Sequence, residues 1–170
     1  MTEESPWNSW DVRINFIAIV ALWVFGTYML AIKCWRPLLA FWVFWVLYFT
    51  IGRYMTCRHC DFLGRPCPSW NMGILAAKMG MKRSEKKNFY EDGNLKLILL
   101  DVLFMLLAIF IPYIKYIYDF FTIGVFAFDV VLLIIYTAIV GMVLLLHLQL
   151  GCKKCPMEGC LMNPKRKGEK

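Results

Sequence analysis

The chain has 170 residues, of which 60% are hydrophobic and 18% charged, and it carries a net charge of +7. That balance lies outside the range of a soluble domain and points to a membrane protein. The basic excess does not signal nucleic acid, because the Lys and Arg residues flank apolar runs and form no patch interleaved with aromatics.

A membrane span needs about 20 mostly apolar residues. The acidic leader "MTEESPWNSWDVR" precedes the first such run, about residues 14–32, and offers no small-residue cleavage site, so a retained helix is expected. A second run follows at about 38–54, joined through "KCWRP", with Pro37 in the first turn of its helix. The third and fourth runs, about 95–114 and 120–150, are joined through "YIKYIYD". None of the four alternates with a period of two, which argues against strands. The expected fold is all-α: a four-transmembrane-helix bundle made of two antiparallel hairpins in a single domain over residues 1–170. Between the hairpins lies a loop, about 56–94, whose stretch "SWNMGILAAKMGMKR" reads as a short interfacial helix. Asn94 is placed to cap the third span. A tail covers 151–170.

Of the nineteen Lys and Arg residues, the hairpin tips hold Lys33, Arg36 and Lys115; the other sixteen lie in the leader, loop and tail or, as Arg53 and Lys96, at the span ends that adjoin the loop. The positive-inside bias then places both chain ends, the loop and the tail in the cytoplasm, with the helices in the cell inner (cytoplasmic) membrane.

That topology brings two cysteine groups to one mouth. "TCRHCDFLGRPCP", residues 56–68, carries Cys57, Cys60 and Cys67. "HLQLGCKKCPMEGC", residues 147–160, carries Cys152, Cys155 and Cys160. A C-x2-C step offers two thiolates from one tight loop, and a second step completes a four-sulfur set. The expected cofactor is therefore zinc or an iron–sulfur cluster held by the six cysteines, with His59 as an alternative ligand. Arg58, Arg65, Lys153 and Lys154 are placed to lower the thiol pKa values. The same C-x2-C steps also suit thiol–disulfide exchange, the alternative reading. Cys34 stands at the opposite hairpin tip without a partner cysteine there.

"CRHCDFLGRPC" after one helix and "GCKKCPMEGC" after the last resemble a group of small four-helix prokaryotic membrane proteins. These carry C-x2-C-x3-G-x2-C and G-C-x2-C-x4 or 5-C motifs. The resemblance covers the helix plan and both motifs. It implies that Cys57, Cys60, Gly64, Cys67, Gly151, Cys152, Cys155 and Cys160 form one site, and it implies no reaction.

Two carboxylates, Asp101 and Asp129, fall inside apolar runs, where a charge is expensive. They sit at different depths, so interhelical hydrogen bonding is expected of each, with a carrier or channel as a third reading. No histidine pair supports a haem or quinone box, and no phosphate loop or nucleophile elbow occurs. The expectation is a structural, docking or electron-relay subunit. Its partners would be the bilayer and a cytoplasmic or membrane protein.

Overall fold

The computed structural model describes residues 6–60, 62–82, 94–124 and 126–155, the side chains of 94–98 excepted. Four of its helices are long and apolar enough to cross a membrane, and no strand occurs among the described residues. The chain is thus a multi-pass helical protein by length and composition.

Helix α1 spans Ser9–Ala31 and starts earlier than the apolar run alone indicates. The reason is a capping box: the Asp11 amide donates to Asn8 Oδ1 at 2.7 Å while the Asn8 amide donates to Asp11 Oδ2 at 3.3 Å. Two otherwise orphaned N–H groups are satisfied, which draws the polar "SWDVR" segment into the helix. After a three-residue link, α2 spans Trp35–Leu47 with Pro37 in its first turn. It runs on through a π-helical turn, Tyr48–Gly52, into α3, Arg53–Cys57. The expected short helix of the loop is present as α4, Met72–Lys78.

Helix α5 spans Asn94–Thr122, with Pro112 inside it, and α6 spans Ala127–Leu146. The link between the last two spans is therefore at 123–126 and not at "YIKYIYD". That segment looks polar enough to turn, but Lys115 and Asp119 pair one helical turn apart and Tyr116 donates to the Met29 carbonyl at 3.1 Å. These contacts satisfy its polar groups without leaving the helix. A second π-helical turn, His147–Gly151, and a 3₁₀ turn, Cys152–Lys154, extend α6.

In the bundle α2 packs chiefly on α5, and α1 on α6. Leu22, Met29, Phe41, Trp45, Tyr48 and Tyr136 are wholly buried between the helices. Tyr136 satisfies its hydroxyl on the Ile109 carbonyl at 3.1 Å, as a buried phenol must. Ile17, Val24, Val43, Phe110 and Ile134 are exposed on the outer faces, the pattern expected where lipid is the solvent.

The two ends of the bundle differ. At one, Lys33 beyond α1 pairs with Asp129 in the first turn of α6 at 2.7 Å, and Cys34 precedes α2. At the other, Trp7 donates through Nε1 to the Gly151 carbonyl at 3.0 Å, and Lys154 pairs with Asp11 at 2.7 Å. The start of α1 is thereby tied to the end of α6.

Candidate thiol-lined site

Both C-x2-C steps hang from helices that end alike. Each follows a π-helical turn, a feature frequent at functional sites because the inserted residue redirects the side chains after it. Each closes with the same bond: the Cys60 amide donates to the Cys57 carbonyl, and the Cys155 amide to the Cys152 carbonyl, both at 3.1 Å.

Beyond Cys60 the first loop folds back on α4. Gly64, at φ +86°, takes the left-handed turn, and its amide donates to the Gly73 carbonyl at 3.0 Å. Gly73 is needed for a different reason. A Cβ there would lie 2.9 Å from the carbonyl oxygens of both Phe62 and Arg65, so only glycine lets α4 meet the loop backbone.

Backbone amides address the sulfurs directly. The Phe62 N–H donates to Cys60 Sγ at 3.5 Å and the Gly73 N–H to Cys67 Sγ at 3.3 Å. Such bonds favour negative charge on sulfur, whether thiolate or metal-bound.

The loops meet over the end of the bundle. Cys67 is buried with Trp7, Val12 and Phe62, and Cys60 and Cys155 pack against that group. Gly151 presses on Pro68, where a Cβ would fall 3.2 Å from the proline ring. Cys57, Cys60, Cys67, Cys152 and Cys155 all line one cavity of about 170 Å³ that continues inward between the helices. Cys160 and the rest of 156–170 lie outside the described residues. None of the six described cysteines forms a disulfide. Among the described residues, no three or more of His, Cys, Asp and Glu are grouped closely enough to hold a metal ion.

The expected lowering of the thiol pKa values is overturned for Cys60 and Cys67 in the first loop. Burial pushes the Cys60 thiol from its ordinary 9.0 up to about 12, and raises Cys67 as well, against the opposing pull of their amide hydrogen bonds. Two of the four basic side chains are engaged elsewhere: Lys154 with Asp11, and Arg58 over the Tyr54 ring at 5.6 Å. His59 is buried, but the histidine that lines the cavity is His147, whose ring is tilted against Trp70 with centroids 5.4 Å apart.

Asp101 also lines the cavity, paired with Arg53 and accepting from Thr56 Oγ1 at 3.1 Å. Arg53 lies over the Tyr48 ring at 4.4 Å and 5.8 Å from the Trp70 ring centre, and is 8% exposed. Asp129, by contrast, belongs to the far end with Lys33. The two aspartates thus serve separate interhelical pairs. The sequence does not mark Arg53 or Trp7, and it marks Trp70 only as the boundary of the short loop helix. The one available signal was Arg53 itself, a cation near the end of an apolar run, where charge demands a partner.

The chain matches no family model, no curated protein and no solved structure.

Proposed function

We propose that the chain is a four-span protein of the cell inner membrane, with both chain ends cytoplasmic, whose two cysteine triads hold a thiolate-ligated metal centre. The observation that carries this reading is that five cysteines, from motifs about ninety positions apart, line one cavity. The matched C-x2-C turns and the N–H···S bonds add to it, since they are the local geometry a metal-binding thiolate loop uses. Buried thiols with raised pKa values lose their protons to a soft cation far more readily than to water, so metal uptake would be coupled to proton release. Zinc would staple loop to tail and fix a cytoplasmic docking surface. An iron–sulfur cluster would make the site an electron relay.

Anaerobic purification followed by elemental analysis and an optical spectrum tests the proposal. Stoichiometric zinc in colourless protein supports the structural form, and iron with sulfide and broad visible absorption supports the relay. Less than about a tenth of an equivalent of either rejects both.

The absence of a three-ligand group among the described residues favours one second reading, thiol–disulfide exchange, which needs only a pair of sulfurs. Differential alkylation before and after reduction tests it. A reducible disulfide within or between the triads supports it, and fully reduced protein after exposure to oxidant rejects it.

A further inference from the structure

The inner part of the chamber has a chemistry of its own. Ile19, Leu22, Met105 and Ile109 supply aliphatic walls, and Tyr48 and Trp70 supply aromatic ones. Two buried N–H donors of lining residues, Arg53 Nε and Trp70 Nε1, lack an acceptor. Both residues are more than nine-tenths buried, and the Arg53 guanidinium is 5.8 Å from the Trp70 ring centre. A buried donor without an acceptor costs free energy that a ligand oxygen would recover.

We propose that this chamber binds the ring of a membrane-borne quinone, with a carbonyl oxygen accepting from Arg53 and Trp70. Size supports a single ring and no more: a protein cavity of about 150 Å³ accommodates benzene, and the whole cavity, its cysteine-lined part included, measures about 170 Å³. Charge supports a neutral acceptor over an anion. Arg53 already pairs with Asp101, so an anion would enter an apolar enclosure with no free counter-charge. A quinone carbonyl accepts hydrogen bonds without bringing charge, and its ring suits a lining of aliphatic and aromatic side chains. Location supports a lipid-soluble ligand, because the lining helices are spans whose outer faces are apolar. The site does not depend on the identity of any metal.

Duroquinone is a suitable probe, since its four methyl groups leave no open ring position for addition of a thiol. Titrated anaerobically into the purified full chain in lipid nanodiscs, it is expected to bind saturably at one site per chain, over and above empty nanodiscs. Trp70→Phe keeps a ring but removes the donor, and weakens binding about three- to tenfold. Ile109→Trp fills the chamber and abolishes binding while the thermal transition persists. Uptake no greater than that of empty nanodiscs overturns the proposal. So does saturable binding that both variants leave unchanged. Metal content measured on the same samples separates this result from that of the metal reading: a metal-free chain that binds duroquinone sustains this site alone, and a metal-loaded chain that does not bind removes it alone.

Discussion

Gly52 leaves room for Asp101. A side chain at position 52 would fall on Asp101 Oδ1 and lie 3.4 Å from the Asp101 Cα, so the close passage of the π-helical turn Tyr48–Gly52 against α5 depends on a missing methyl group. In the space so left, Asp101 meets Arg53 and Thr56. A carboxylate on a helix of span length is thereby paired beside the thiol-lined cavity.

Gly52→Ala should consequently behave as the loss of a buried ion pair. Breaking such a pair costs about 3–5 kcal/mol. Gly141 provides the control, since a Cβ there meets nothing within 4 Å, and Gly141→Ala should be neutral or stabilising by up to about 1 kcal/mol. Thermal unfolding of the two variants in one detergent measures the difference.

Gly73→Ala should damage the thiol site more than the bundle. The added methyl would push on the carbonyls of Phe62 and Arg65 and approach Cys67 Sγ at 3.4 Å, displacing the amide that donates to that sulfur. The expected outcome is faster alkylation of Cys67 with little change in helix content. Mass spectrometry of alkylated peptides and circular dichroism read the two quantities.

The tie between the start of α1 and the end of α6 has two unequal parts. Trp7→Phe removes a buried hydrogen bond to Gly151 and should cost about 1 kcal/mol. Lys154→Ala removes an ion pair whose lysine is substantially exposed, and should cost less than about 1 kcal/mol. The ranking of the two melting temperatures checks the assignment, and raised salt should narrow the gap between wild type and the Lys154 variant.

Metal-free protein should lose stability in alkali. Below pH 9 the Cys60 thiol is neutral in both folded and unfolded chains, and its burial costs nothing in ionisation. As pH rises from about 9 towards 12, the unfolded chain ionises first and is favoured, so the folded state weakens across that window. Cys67, raised by the same burial, adds to the effect in the same direction. Unfolding by denaturant at a series of pH values between 8 and 11 should show falling midpoints, and Cys60→Ser with Cys67→Ser should flatten the fall.

Much of the architecture was legible in the sequence because lipid leaves few options. Apolar runs of span length must be helices, and their parity sends "CRHC" and "CKKC" to the same end. The Lys115–Asp119 segment was misread as a link because its polar residues suggest a turn, when an i, i+4 pair and a tyrosine reaching another helix satisfy them in place. The site was legible only as cysteines. Arg53 and Asp101 are forty-eight positions apart, and Trp7 and Gly151 are one hundred and forty-four apart. No local period or spacing encodes such meetings, which depend on how the helices pack. The pKa direction was misjudged for the same reason: neighbouring lysines and arginines can be counted in the sequence, whereas desolvation arises only once Trp7 and Phe62 close over the sulfurs.

The clasp of Trp7 on Gly151 and Asp11 on Lys154 makes the order of the two hairpins in the gene a matter of indifference to the bundle. A rearranged coding sequence that joins residue 170 through a flexible spacer to residue 1, and opens the chain between α4 and α5, keeps every helix pair and every ion pair described, and retains all six cysteines of the two motifs. Such a permuted chain, or the two hairpins co-expressed as separate polypeptides, should reassemble, with the clasp acting as the seam.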